Sequence, residues 1–184
     1  MLLTKKVYRT IFLDELKENG LTVHFNKNNF FILIKGSDSS RIVAVEFITS
    51  TRVNPEIHGS HNNNILNGIG RFKFTIPKRE EKVSYYIFAF LNTPNREIEF
   101  VIVSAKVLRS RFQKLNRIPE SSKKAELTLW LMLDRYVYDC TNICEGEWYF
   151  ISKGINGRMA DNTEWDYTDC LNNWQGMIDA VNGQ

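Results

Sequence analysis

The stretch REIEFVIVSAKVLRSRFQKLNR, from Arg96 to Arg117, runs from an apolar segment directly into a basic one. Alternation along Ile98 to Val103 predicts a strand that is buried on one face and largely covered on the other. The residues after it predict a helix, in which Leu108 and Phe112 pack against a sheet while the cations project outward. Such a face is more often a simple solvated surface, and polyanion binding is the sharper alternative. The candidate nucleic-acid-binding residues are Lys106, Arg109, Arg111, Lys114 and Arg117.

The charge of the chain is unevenly distributed along its length. Residues 1–138 hold 22 Lys and Arg against 13 Asp and Glu, whereas residues 139–184 hold 2 against 8. The first part therefore carries a net charge of +9 and the second −6, which together give the overall +3. The basic part could contact a phosphate backbone while the acidic end repels nonspecific binding. Equally, the two sets of charges could attract each other across the fold.

Length and composition indicate one domain, with a core at residues 4–117 and a C-terminal part at residues 118–184. A chain of 184 residues with 43% hydrophobic residues is long enough to bury a core. Its three cysteines are too few for a disulfide framework and favour a reducing compartment. The start of the chain lacks the pattern of a secretory signal, and no apolar segment reaches the roughly 18 residues that span a bilayer. We therefore expect a cytoplasmic protein without a membrane partner.

The apolar patterns along the chain predict alternating helices and strands. A helix at residues 4–19 ends at Gly20, and residues 30–35 and 41–49 predict a hairpin. We therefore expect an α/β protein with a central mixed β-sheet flanked by helices. The other predicted elements are an exposed loop at residues 50–66, strands at 71–76, 84–91, 127–133 and 147–152, and a terminal helix with Tyr167, Leu171, Trp174, Ile178 and Val181 on one face.

This order of elements resembles the restriction-endonuclease-like fold of the PD-(D/E)xK superfamily. The resemblance is carried by FFILIKG-turn-RIVAVEFITS and YYIFAFLN-turn-EIEFVIVSAKVLRSRF, and it covers about residues 4–115. In that superfamily a helix with a glutamate precedes a hairpin whose first strand offers an aspartate and whose second offers Asp or Glu, any residue, then Lys. The resemblance implies magnesium-dependent hydrolysis of phosphodiesters, in which carboxylates hold Mg²⁺ and the lysine orients or activates the attacking water.

The hairpin of this chain departs from that catalytic motif. Neither Ala44 to Glu46 nor Glu46 to Ile48 ends in lysine, and the first hairpin strand contains no acid. The resemblance therefore leaves Glu46 as the candidate catalytic carboxylate. Glu15 or Glu18 could supply the glutamate of the first helix, and Glu15 or Asp38 in the turn is the expected partner of Glu46. Glu46 and Asp38 are the candidate ligands of Mg²⁺, which is expected only if the protein is active. Either the site has migrated or the fold persists without catalysis.

Three hypotheses of function follow. The leading one is a nucleic-acid-associated protein in DNA processing or defence, with DNA as its partner, which is either a magnesium-dependent endonuclease or a catalytically degenerate relative. The second is a noncatalytic module that forms a homodimer, or holds another protein, through its acidic, tryptophan-rich C-terminal region and terminal helix. The third is a zinc-binding loop at His58 and His61, with Cys140 and Cys144 as distant further ligands.

Overall fold

The computed structural model of the protein describes residues 4–25, 30–35, 38–50, 66–76, 83–92, 94–119, 124–132, 135–141 and 164–183. Within these residues the helices are α1 (Lys5–Glu18), α2 (Ala105–Lys114) and α3 (Gln175–Asn182). The strands are β1 (Leu21–Phe25), β2 (Phe30–Lys35), β3 (Asp38–Thr49), β4 (Leu66–Phe74), β5 (Tyr85–Asn92), β6 (Glu97–Ser104), β7 (Ala125–Met132) and β8 (Val137–Asp139).

The described strands form two sheets. The larger one has five strands in the order β1-β2-β3-β5-β6. Its neighbours are antiparallel except for β3 and β5, which are parallel, so this sheet is mixed. The smaller sheet has three antiparallel strands in the order β4-β7-β8. The predicted α/β class with a central mixed sheet is confirmed.

Two apolar cores lie on the two faces of the larger sheet. On one face, α1 and α3 pack against side chains such as Val45 and Ile102. On the other face, the smaller sheet and α2 pack against side chains such as Phe88 and Val101. Because successive residues of a strand point to opposite faces, β5 and β6 supply side chains to both cores. The larger sheet is therefore the middle layer of the protein.

Helix α1 forms where apolar residues recur every fourth position. Tyr8, Phe12 and Leu16 are buried along one side of it, and the ring of Phe12 stacks on that of Phe47 with centroids 4.5 Å apart. The helix ends at Glu18, and Gly20 just beyond it has a φ of 72°, in the left-handed region that glycine adopts without a steric penalty. The first predicted helix is confirmed, although strand β1 directly after it was not predicted.

The strand and helix of the opening stretch also form as predicted. Strand β6 leads without a loop into α2, and the Ser104 side chain accepts a hydrogen bond from the backbone N–H of Val107 at 3.3 Å. This N-cap satisfies a donor that the first helical turn leaves open. Leu108 and Phe112 are buried against the larger sheet, so α2 is held on the same face as the smaller sheet.

The two sheets approach each other closely at β4. A Cβ atom added to Gly68 would lie 2.5 Å from the carbonyl oxygen of Leu91 in β5. Only a residue without a side chain fits at that distance from another backbone. Strand β4 begins at Leu66, five positions before the predicted start at Arg71, because Leu66, Gly68, Ile69 and Gly70 also pair with β7.

The C-terminal region differs from its prediction. The helical spacing of Tyr167, Leu171 and Trp174 predicted one long terminal helix, but residues 168–170 form a single 3-10 turn and α3 begins only at Gln175. The backbone before α3 is used instead to pair with strand edges. The amide of Tyr167 donates to the Val137 oxygen at 2.8 Å, and the amide of Asn172 donates to the Phe100 oxygen at 2.7 Å.

We call residues 164–174 the edge segment. Asp166 forms a bridge to Tyr138 in β8, and Leu171 forms a bridge to Val101 in β6. Both strands are outermost in the order of their sheets. The short strand β8 was not predicted, and the predicted strand at residues 147–152 and nearly all of the predicted loop at 50–66 lie outside the described residues.

Candidate functional site

Glu46 lies on the face of the larger sheet that is covered by α2 and the smaller sheet. Its neighbours in β3, Val45 and Phe47, point into the core beneath α1 and α3, so Glu46 points to the opposite side. In the strand register it lies beside Phe30 of β2 and Tyr86 of β5. The sole acid predicted on the second hairpin strand is therefore placed inside the sheet rather than at its edge.

Burial changes the acidity of Glu46. Loss of contact with water raises the pKa of its carboxyl group from 4.5 to about 7, and the positive charge of Lys124 opposes this rise. Burial of a carboxyl group disfavours its charged form, which explains the direction. Near neutral pH, Glu46 therefore exchanges between a protonated and an ionised state.

Three further side chains share this part of the structure with Glu46. The Tyr86 hydroxyl donates to the backbone oxygen of Thr75 at 3.1 Å, just past the end of β4. Because Phe74 pairs with Ala125, the residue before Ala125 is brought to the same end of the smaller sheet, and that residue is Lys124. Arg109 of α2 is also within electrostatic range of Tyr86. We call Glu46, Tyr86, Arg109 and Lys124 the Glu46 corner.

The other two predicted catalytic carboxylates are not part of this corner. Glu15 is on α1, which covers the opposite face of the larger sheet. Asp38 begins β3, eight residues before Glu46, which corresponds to about 26 Å along an extended strand. Among the described residues no group of three His, Cys, Asp or Glu side chains could hold a metal ion. The expected set of Glu46, Asp38 and Glu15 is therefore not assembled, because strand direction and helix placement separate its members.

Two cations of the basic helix contact the acidic end of the chain. The Lys114 ammonium group lies 2.5 Å from a carboxylate oxygen of Glu164. The guanidinium of Arg111 donates to the backbone oxygen of Asp166 at 2.5 Å, and it lies over the ring of Tyr167 at 4.3 Å from the centroid. The basic and acidic parts of the sequence therefore attract each other across the fold at this helix.

Arg117 has a structural role. Its guanidinium forms an ion pair with Asp139, donates to the Glu126 backbone oxygen at 2.6 Å and covers the Phe112 ring at 4.6 Å. The Asp139 side chain is fully buried, and its other oxygen accepts hydrogen bonds from the amide and hydroxyl of Thr141 at 3.0 and 2.6 Å. Since this arginine compensates a buried charge, it is not placed to act as a surface contact for a phosphate.

The remaining two predicted contacts lie nearer the start of α2. Lys106 is exposed in the first turn, and Arg109 is partly buried and within electrostatic range of Tyr86. The predicted set of five cations is therefore divided between two places. Its first two members lie in the first half of α2, and its last three contact the edge segment or a buried aspartate.

A second polar cluster lies at the far end of the same sheet face. The buried carboxylate of Glu99 accepts hydrogen bonds from Asn92 Nδ2 at 2.9 Å and from Asn172 Nδ2 at 2.6 Å. The guanidinium of Arg135 lies 3.2 Å from it. Asn172 also accepts from the Phe100 amide at 2.9 Å. This network joins β5, β6 and the edge segment, so we assign it a structural role.

The terminal helix is packed within the chain. Trp174 contacts the rings of Phe12 and Phe100, with centroids 6.2 and 5.4 Å apart, and Met177 and Val181 are buried in the same core. The apolar side of α3 is therefore used to complete the fold. The second hypothesis had assigned that side to a protein partner.

The predicted zinc loop is mostly outside the described residues, since His58, His61 and Cys144 are not among them. Cys140 is described and buried, and its burial raises the pKa of the thiol well above the usual value. A metal ligand must be the thiolate, so this environment disfavours metal binding by Cys140.

Local sequence patterns do not single out Lys124 as a site residue. It follows a polar connector and precedes a strand whose partner is distant in sequence, so only the register of β4 and β7 places it near Glu46. No protein-family model, curated protein or solved structure matches this chain. In the described residues no helix is long and apolar enough to cross a membrane.

Proposed function

We propose that this chain is a nucleic-acid-associated protein of DNA processing or defence, with a restriction-endonuclease-like core that has lost its magnesium site. The observation that carries the proposal is the arrangement of the larger sheet around Glu46. Helix α1 precedes the β2–β3 hairpin, Glu46 lies on the second hairpin strand, and β6 leads through Ser104 into α2. These are the elements on which the resemblance rests.

The surroundings of Glu46 favour a binding role over a nuclease reaction. Ile48 occupies the position at which the motif has lysine. Glu15 is on the helix that covers the opposite face of the larger sheet, and Asp38 begins β3, eight residues before Glu46. A carboxyl group whose pKa is about 7 is also partly protonated at neutral pH, so Mg²⁺ would have to displace a proton. The positive charge that acts on Glu46 comes from Lys124, outside the hairpin.

The proposal is tested by incubating the purified chain with plasmid and single-stranded DNA in Mg²⁺ and in Mn²⁺, and measuring both mobility shift and cleavage. We expect a salt-dependent shift without cleavage. No shift of either DNA at low salt would contradict the proposal of nucleic-acid binding. Cleavage that disappears in the Glu46→Gln variant would instead support an active nuclease with Glu46 as a catalytic residue.

A further inference from the structure

We propose that the edge segment limits the affinity of α2 for a polynucleotide, because the Glu164 carboxylate competes with phosphate groups for Lys114. This inference rests on the proposed function and adds to it a contact within the chain that regulates binding. The ligand of this surface is the phosphate backbone of DNA, and its competitor is a side chain of the protein itself.

The ion pair at the end of α2 is the first observation. The Nζ atom of Lys114 lies 2.5 Å from Oε1 of Glu164. A lysine ammonium group binds carboxylate and phosphate oxygens in the same way, as a compact charge with three donors. A phosphate group that contacts Lys114 therefore has to compete with a carboxylate that already contacts it.

The two partners of this ion pair are exposed to different degrees. The side chain of Lys114 keeps 63% of its accessible surface, whereas that of Glu164 keeps 19%. A polyanion in solution can therefore reach the lysine while the glutamate stays against the protein. Exchange of the two anions requires a movement of the lysine side chain and leaves the edge segment in place.

The backbone that carries Glu164 is bonded to the smaller sheet. The oxygen of Trp165 accepts a hydrogen bond from the Asp139 amide at 2.8 Å, and the amide of Tyr167 donates to the Val137 oxygen at 2.8 Å. The side chain of Tyr167 is fully buried. A carboxylate held beside the helix by the chain itself acts at a high effective concentration. The edge segment therefore maintains the competition without binding a second molecule.

Arg111 is held beside this ion pair by neutral groups of the same segment. Its guanidinium donates to the backbone oxygen of Asp166 at 2.5 Å and lies over the ring of Tyr167, 4.3 Å from the centroid. The Asp166 carboxylate accepts a hydrogen bond from the Thr168 amide at 2.8 Å. Arg111 and Lys114 are three positions apart and therefore neighbours on the helix surface. Removal of the Glu164 charge would thus add a second cation beside a fixed one.

The experiment measures the affinity for a fluorescently labelled duplex by anisotropy over a range of salt concentrations. We expect Glu164→Gln to bind about threefold more tightly and to show a logarithmic salt slope steeper by about 0.9, the gain of one phosphate contact. The control is Glu126→Gln, which removes the same charge from an ion pair with Lys73 at 2.7 Å on the smaller sheet. It should strengthen binding less than Glu164→Gln does.

A double-mutant cycle identifies the lysine that is released. In the Lys114→Gln protein, the further substitution Glu164→Gln should strengthen binding no more than Glu126→Gln does, because the lysine for which it competes is absent. Circular dichroism verifies that each variant is folded.

Equal gains in affinity from Glu164→Gln and Glu126→Gln would overturn the inference, because only net charge would then matter. A full gain from Glu164→Gln in the Lys114→Gln protein would also overturn it, since the competition would not involve Lys114. In both cases binding of the duplex by the unaltered protein would still support the proposed function. If neither the unaltered protein nor Glu164→Gln binds the duplex at low salt, the proposed function fails, and this inference fails with it.

Discussion

The Glu46→Gln substitution is expected to change how the stability of this protein depends on pH. Glu46 lies inside the larger sheet, where burial raises the pKa of its carboxyl group from 4.5 to about 7. The folded protein therefore retains a proton over a range of pH in which the unfolded chain has released it. Within that range, raising the pH favours the unfolded state.

The size of the effect follows from the change in proton affinity. Each tenfold change in affinity corresponds to about 1.4 kcal/mol, so a pKa that rises from 4.5 to about 7 corresponds to about 3 kcal/mol of unfolding free energy. Because the pKa is raised in the folded state, this stabilisation is fully present below pH 4.5 and is lost as the pH rises to about 7. Glutamine has no proton to lose, so the variant lacks this decrease.

The assay is urea unfolding of both proteins from pH 4.5 to pH 8, followed by tryptophan fluorescence. Other titrating groups affect both proteins alike, so the difference between their unfolding free energies isolates Glu46. We expect this difference to shift by about 3 kcal/mol in favour of the variant as the pH rises. Glu126→Gln, which alters an exposed carboxylate on the smaller sheet, should show no such shift. A difference for Glu46→Gln that stays constant within about 0.5 kcal/mol would refute the reasoning.

Three further predictions concern the fold. Arg117→Met should lower the unfolding free energy by about 3 to 5 kcal/mol because it leaves Asp139 buried without its partner. The control Lys73→Met should lower it by less than about 1 kcal/mol. Similar losses for the two variants in urea unfolding would contradict the structural role of Arg117. Gly68→Ala should lower the melting temperature, because its Cβ would lie 2.5 Å from the Leu91 oxygen; an unchanged melting temperature would contradict the close approach of the sheets. Deletion of residues 163–184 removes Trp174, Met177 and Val181 from the core, so the shortened chain should aggregate in light scattering; a stable, folded monomer would mean that the region is not needed for the fold.

Local sequence patterns predicted those helices and strands whose conformation depends little on the residues they pack against. The alternation that includes Phe100 and Val101 predicted β6. The recurrence of apolar residues at every fourth position, at Tyr8, Phe12 and Leu16, predicted α1, which ends shortly before Gly20. In each case the period of apolar residues matched the geometry of the element itself. The mixed sheet followed from the order of these elements.

The misleading pattern was that of the terminal helix, because its residues serve different cores. Tyr167 is buried beneath the smaller sheet, whereas Trp174 packs beneath α1 on the other side of the larger sheet. The spacing of these two residues is helical, but the backbone between them pairs with the edges of two strands. This pairing outweighs the local preference for a helix. The Glu46 corner depends in the same way on distant pairing, since Lys124 is brought there only by the β4–β7 register. Such long-range pairing leaves no signal in the local sequence.

The edge segment also has a consequence for how the protein opens. One continuous stretch of backbone is bonded to β8 through Tyr167 and to β6 through Asn172. Releasing it at one end removes a constraint on the other, so the two sheets should lose protection from hydrogen exchange in a single cooperative event. The amides of Phe100 and Tyr167, which belong to different sheet edges, should then exchange at similar rates. The same contacts occupy part of the edges of β6 and β8, which lowers the tendency of the folded protein to aggregate through these two strands.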